Sequence, residues 1–371
     1  MKLVVRLFSM RAVVMQGPQL VVGTVPDPRP GPGQLLVKTL VCGICGSDLH
    51  MLKSARQIYE ASKETQEPLR TDPSKDIVMG HEFCAEILDY GSGTRRSLAV
   101  GSRVCSMPFA IRGNGVIAAV GYSNDFPGGY GEQMVLEESL LVEVPNGLDT
   151  DRAALTEPMA VGAHAVEKAQ LGGDEVPVVI GCGPVGLAVI ASLRLRGVGP
   201  IIAADYSPTR RGLAEQMGAD VIVDPKAQSP YDRWREVSGS AGTDDENPFA
   251  SALGRPLGRP AVLFECVGVP GVIQQLMDGA PRGARIVVVG LCLEPDRIQP
   301  YVGVQKELGI QFVLAYSQEE FAATLRAIAE GQINVDPLIT GKTGVAGVAA
   351  AFEALANPEE HAKILVEPWR D

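Results

Sequence analysis

The sequence reads as an α/β chain of two unlike parts, a β-rich lobe and a domain built on a parallel sheet. Three observations carry that reading. Up to about residue 145 the chain runs in short β-type segments separated by Gly and Pro turns. At 177–198, VPVVIGCGPVGLAVIASLRLRG reads as strand, glycine turn and helix. Beyond it, apolar runs recur at intervals long enough for the crossover helices that parallel strands require.

The length of 371 residues exceeds one ordinary domain, and a 46% hydrophobic content is enough for a core in each lobe. The 42 glycines and 27 prolines, with only 5% aromatics, favour many strands and tight turns over a helical bundle. A net charge of −11 sets the chain against a nucleic-acid partner, since no Lys/Arg run with interleaved aromatics overcomes that field locally. Apolar runs are of strand length, too short to span a bilayer. Arg6 and Arg11 interrupt the opening MKLVVRLFSMRAVVMQ before a secretory h-region develops. Seven scattered cysteines do not form a disulfide framework, so the expected compartment is the reducing cytoplasm and the expected partner a small molecule.

Taken in order, MRAVVMQGPQLVVGTV at 10–25 holds two β-rich runs around Gly17-Pro18, and LLVKTLVCGI follows as a further strand. The polar stretch at 53–76 is expected to be a surface excursion, and GHEFCAEIL to continue as a strand after Glu82. AVGAHAVEKAQL is a helical candidate. IIAAD, ADVIVD, AVLFECVG and ARIVVVG are the strands of an α/β domain over 160–298. The Gly- and Pro-rich 239–260 stretch reads as an irregular insertion. Ser317 and Glu320 are spaced as a capping box, and AKILVEP at 362–368 reads as a returning strand.

Gly181-Cys182-Gly183-Pro184-Val185-Gly186 has the GxGxxG spacing between a strand and a helix. Gly181 makes the turn, Gly183 lets backbone approach a pyrophosphate, and Gly186 permits close helix–strand packing. The helix N-terminus then stabilises phosphate charge. By itself the pattern is weak, but the next strand ends in Asp205, 19 residues after Gly186, where a carboxylate accepts from both ribose hydroxyls of NAD and opposes the 2′-phosphate of NADP. The expectation is therefore a Rossmann-type domain that prefers NAD. Arg210 and Arg211, on a helical stretch, have two readings: turned toward a 2′-phosphate, where they would soften that preference, or simply solvated.

The second constellation lies outside that domain: Cys42-Gly43-Ile44-Cys45-Gly46-Ser47-Asp48-Leu49-His50, Gly80-His81-Glu82 and Glu157-Pro158. Thiolate, imidazole and carboxylate together suit a tetrahedral zinc with one position left for substrate. No short-spacing rule proves that assembly, and a redox role for the Cys42/Cys45 pair is the rival reading.

At these residues the chain resembles the medium-chain, zinc-dependent alcohol and polyol dehydrogenases, especially the sorbitol and threonine dehydrogenase branch. VCGICGSDLH, GHEF, EPMAVGAHA and VIGCGPVGLAV occur in that family's order, from Met10 through the final strand. The resemblance implies a GroES-like catalytic domain that begins with residues 1–159 and is completed by a return segment at 299–371, with the NAD domain inserted between. It implies one catalytic zinc, with Cys45 and His81 as ligands and Glu157 as the third, directly or through water. Glu82 is implied as the adjacent acid that approaches or exchanges onto zinc. Ser47 is implied to touch the substrate hydroxyl and His50 to pass its proton outward. A homodimer or homotetramer is expected.

Two departures from the family pattern stand out. The 102–133 segment holds only Cys105, so a four-cysteine structural zinc is expected to be absent. The stretch from Cys45 to His81 is also long, and its insertion at 52–77 is expected to reshape the substrate entrance or a subunit contact. The implied reaction is hydride transfer between NAD and a secondary alcohol or polyol. Aromatic or hydrophobic alcohols are the alternative substrates, and a zinc-free quinone or enal reductase is the alternative enzyme.

Overall fold

A computed structural model describes residues 9–65, 71–145, 147–239 and 258–370. The opening residues 1–8 and most of the 239–260 stretch read above as an irregular insertion lie outside the described residues. Among those described, no helix is long and apolar enough to cross a membrane.

The chain starts with the antiparallel hairpin β1 (Ser9–Gln16) and β2 (Gln19–Pro26), turned at Gly17-Pro18 as the sequence predicts. Then come β3 (Gln34–Gly43), α1 (Gly46–Thr65), β4 (Glu82–Tyr90), β5 (Arg103–Ser106), the small hairpin β6 (Phe109–Ile111) and β7 (Ile117–Ala119), β8 (Gln133–Glu137) and β9 (Leu141–Glu143). Helices α2 (Thr150–Ala154) and α3 (Thr156–Lys168) lead into β10 (Val176–Ile180), α4 (Pro184–Leu195), β11 (Ile202–Ala204), α5 (Pro208–Gln216), β12 (Val221–Val223) and α6 (Pro230–Val237). The chain closes with β13 (Ala261–Glu265), α7 (Val272–Gly279), β14 (Arg285–Val288), α8 (Pro300–Lys306), β15 (Gly309–Phe312), α9 (Gln318–Ala329), β16 (Ile339–Thr343), α10 (Val348–Leu355) and β17 (Lys363–Val366).

Two sheets organise these elements. The first runs β16-β17-β3-β4-β5-β9, with β8 also on β3, and its pairings are antiparallel except between β16 and β17. The second is six-stranded and parallel throughout, in the order β12-β11-β10-β13-β14-β15. With the strands counted in sequence that order is 3-2-1-4-5-6, the doubly wound Rossmann arrangement with its cofactor crevice beyond the C-terminal end of the first strand. The fold is therefore a GroES-like β-domain with a Rossmann-type α/β domain. Apolar side chains pack on both faces of the parallel sheet, whose inner strands are buried, and a separate core fills the β-rich lobe.

Two boundaries differ from the sequence expectation. The parallel sheet does not stop at 298, because β15 pairs with β14 in register from Arg285↔Gly309 to Val288↔Phe312. That edge strand is largely exposed, so it lacks the apolar run that marked the inner strands. The 52–77 insertion is likewise not simply an excursion, since α1 continues through it to Thr65 with one non-helical residue at Ser54. Leu49, Leu52, Ala55 and Ile58 recur at helical spacing and pack on the β-rich core, a stripe that the surrounding charges conceal.

Candidate active site

The glycine turn follows β10 and caps α4. Gly181 sits at φ +91°, a conformation that only glycine adopts without strain. A Cβ on Gly186 would lie 1.9 Å from the Gly181 carbonyl oxygen, so α4 could not pack where it does. Gly183 is different: a Cβ there would meet only the Arg210 guanidinium, at 3.9 Å, so its surface is open to an incoming group. Pro184 occupies the first turn of α4, where its missing N–H costs nothing, and Val185 follows it. An open, N–H-lined helix start beside a guanidinium fits a pyrophosphate.

Asp205 follows β11 and is tied to this turn. Its Oδ2 accepts from the Cys182 N–H at 2.7 Å and its Oδ1 from the Ser207 N–H at 2.8 Å. A carboxylate retains further lone pairs, so ribose hydroxyls can still be received. The two arginines differ in availability. Arg211 donates to the Asp205 and Tyr206 carbonyls and pairs with Asp224 at 3.1 Å, whereas the buried Nε of Arg210 has no hydrogen-bond partner among the described residues.

On the β-rich side, the end of β3, the start of α1 and the start of β4 bring together Cys45, His81 and Glu82, each with one donor atom within 4.8 Å of the others. Cys45 is half-buried, His81 and Glu82 buried. The buried Nδ1 of His81 lacks a hydrogen-bond partner among the described residues, with Asp48 Oδ1 3.5 Å away. A thiol, an imidazole and a carboxylate so close together, two of them buried, form a donor set that fits a zinc ion.

Several residues around this cluster escaped the sequence reading. Asp48 is fully buried; its Oδ2 accepts from the Cys45 N–H at 3.0 Å and Tyr130 Oη at 2.6 Å, its Oδ1 from Tyr122 Oη at 2.8 Å. Burial disfavours charge on Asp48 and His81 alike, but each stabilises the charge of the other. The Asp48 carboxyl is accordingly held below its ordinary value and the His81 imidazole above. Lys363, on β17, is also buried and donates to both Glu82 oxygens at 2.7 and 2.6 Å and to the Ile44 carbonyl at 3.0 Å. A lone lysine opening an apolar strand was the available signal, because a charge there demands a buried partner. Asp48, three residues after Cys45 at a helix start, had a capping position as its signal.

Glu157 is not among the three clustered donors. It lies in the first turn of α3, where its Oε1 accepts from Tyr316 Oη at 2.8 Å. Burial pushes its carboxyl up to about 7, with His81 opposing that rise and Glu82 adding to it. Ser47 stands beside the cluster, with its Oγ 3.0 Å from Cys45 Sγ and 2.8 Å from Tyr122 Oη. His50 lies one turn further along α1, its imidazole held below the usual value by burial and by Lys53. Cys42 and Cys84 are buried in the core, and all seven cysteines are free thiols.

The chain is similar to known proteins over nearly its whole length. The family model for the alcohol dehydrogenase GroES-like domain matches residues 31–146, and that for zinc-binding dehydrogenases matches 184–330. The (R,R)-butanediol dehydrogenase of Bacillus subtilis (strain 168) is 32% identical over 356 residues, covering 93% of this chain and 95% of that protein. The sorbitol dehydrogenase of the same organism is 26% identical over 378 residues, covering 98% of each. Among solved structures, 2R,3R-butanediol dehydrogenase from Bacillus subtilis superposes with a TM-score of 0.77 at 29% identity, over 97% of this chain and 100% of that one.

Proposed function

Because the chain belongs to the zinc-type medium-chain alcohol and polyol dehydrogenase family, we propose that it interconverts a secondary alcohol or polyol with its ketone, using NAD. The observation that carries this reading is the convergence of Cys45, His81 and Glu82 beside the Ser47 hydroxyl. The secondary-alcohol preference rests on the relatives, which are named for butanediol and sorbitol.

Cys45, His81 and Glu82 would hold the zinc, and Gly183, the start of α4 and Asp205 would hold NAD. When bound, the metal supplies a Lewis acid for the substrate oxygen and the nicotinamide supplies the hydride chemistry. Ser47 accepts the proton of the substrate hydroxyl as hydride leaves carbon. His50, kept neutral near pH 7 by its lowered pKa, receives that proton further out. Asp48 orients His81, and Lys363 neutralises Glu82 and fixes its direction. Glu157, set by Tyr316, acts from outside the three clustered donors through a bridging water.

Self-association into a dimer or tetramer belongs to this reading, supported by the exposed Tyr301, Val304, Phe312 and Leu314 on and beside the β15 edge. A cytoplasmic location does too, resting on seven free thiols.

The deciding experiment pairs zinc analysis with a panel of diols, polyols and aromatic alcohols followed by NADH formation. One retained zinc per chain and turnover of vicinal diols or polyols are expected. In Cys45→Ser, zinc and turnover should both be lost while NAD still binds. Full turnover of any alcohol by metal-free protein would end the proposal.

A further inference from the structure

The hydrogen bonds around Asp48 settle where one proton points. Three groups donate to its two oxygens: the Cys45 N–H, Tyr130 Oη and Tyr122 Oη. The phenol of Tyr122 has a single proton and two oxygens within 2.8 Å, and the Asp48 carboxylate takes it because an anionic acceptor is stronger than the neutral Ser47 hydroxyl. Toward Ser47, 2.8 Å away, Tyr122 Oη is therefore only an acceptor. Ser47 also has one proton, and two acceptors compete for it, Tyr122 Oη at 2.8 Å and Cys45 Sγ at 3.0 Å.

We propose that Tyr122 is a positioning residue that draws the Ser47 proton away from Cys45 and leaves an Oγ lone pair free for the substrate hydroxyl. This rests on the role given above to Ser47 and deepens it. With its own proton drawn onto the Asp48 carboxylate, the phenol oxygen is polarised into a stronger acceptor, as linked hydrogen bonds reinforce one another, and it takes the Ser47 proton in competition with sulfur. Asp48 completes the string, because without it the phenol proton would be free to point at Ser47 and the order would reverse.

The same string excludes Tyr122 as an exit for the proton. A proton passed from Ser47 through Tyr122 would arrive on Asp48, which is fully buried and borders His81, and it would have nowhere further to go. Outward transfer thus requires the Ser47 hydroxyl to swing off Tyr122 and give its own proton toward His50 as it takes the substrate's, and Tyr122 acts through Ser47 alone. Its ring tilts against the His81 imidazole, centroids 5.0 Å apart, so replacement by Phe keeps that contact and removes only the oxygen. Tyr122 reaches the site from the segment that carries the β6–β7 hairpin.

The test uses protein loaded with cobalt(II) alone, without cofactor or alcohol, because the thiolate-to-cobalt absorption band reports what hydrogen-bonds to Cys45 Sγ. In Tyr122→Phe the Ser47 proton should turn to sulfur and move the band to higher energy. In Ser47→Ala the band should stay near the wild-type position, and the double variant should match Ser47→Ala. With the native metal, Tyr122→Phe should lower kcat roughly tenfold with little change in KM or in NAD binding, an effect of one hydrogen bond. That loss should vanish on the Ser47→Ala background.

A Tyr122→Phe band that coincides with wild type overturns the inference. So does a shift that persists in the double variant, since it would then arise from His81 or Asp48. If Ser47→Ala leaves turnover intact while the band moves as expected, the role of Ser47 in turnover fails and the steering of its proton by Tyr122 stands.

Discussion

Asp205 stands out in the sequence by its distance from the glycines, and the structure adds a second duty. By accepting from the Cys182 and Ser207 N–H groups it also shapes the loop that would receive phosphate. Asp205→Ser should therefore weaken NAD use and narrow the gap to NADP by roughly 10- to 150-fold, the span of one charged hydrogen bond of about 1.5–3 kcal/mol. Arg210, unlike Arg211 with its bonds already made, would decide how much NADP activity appears. Side-by-side kcat/KM values with one active alcohol check this, and unchanged values for both cofactors would contradict it. A second residue tests pH. Glu175, almost buried, accepts from the Gly172 and Gly173 N–H groups at about 3 Å and pairs with Arg285. Burial would raise its carboxyl, but these partners hold it below the ordinary value. A depressed folded-state pKa gives stability above the unfolded value of about 4.3, lost as pH falls through the folded one. Glu175→Gln should thus cost about 1–2 kcal/mol at pH 7 and progressively less below pH 4, read by urea unfolding at both pH values.

At the scale of elements, α9 couples a cap to the site. Ser317 Oγ accepts from the Glu320 N–H at 3.2 Å, and the Glu320 carboxylate accepts from the Ser317 N–H at 2.6 Å, completing the box that the S-x-x-E spacing predicts. The same carboxylate reaches His164 on α3 at 2.8 Å, and Tyr316, just before the cap, holds Glu157. Ser317→Ala should lower stability by about 1 kcal/mol, a shift of a few degrees in Tm, with zinc content unchanged. A Tm equal to wild type would show the cap to be redundant. Local grammar of this kind was legible because caps, turns and glycine motifs are decided within a few residues. The extent of α1 and β15 was not: each has a weak apolar face, one hidden among charges and one lying at a sheet edge.

Across the whole molecule, the legible features were those with a fixed chemical signature. Cys45, His81 and Glu82 were named from sequence and meet in space, and the inner parallel strands were located by their apolar runs. Glu157, also named from sequence, lies outside the three clustered donors, and its bond to Tyr316 depends on a contact 159 residues along the chain. Asp48, Tyr122, Tyr130 and Lys363 were illegible for a related reason. Their roles depend on partners up to 281 and 319 residues away in the chain, as the bonds of Lys363 to Glu82 and Ile44 show.

Those separations also set an order of events during synthesis. β3 and β4 leave the ribosome with Cys45, His81 and Glu82 while β17, which pairs with β3 and carries the lysine bonded to Glu82, is still unmade. Until it emerges, one side of the end of β3 is an open edge and a carboxylate meant for burial has no counter-charge. The parallel-sheet strands lie between these pieces and are translated first, so that domain can fold on the nascent chain while the lobe with Cys45, His81 and Glu82 waits for nearly the last strand.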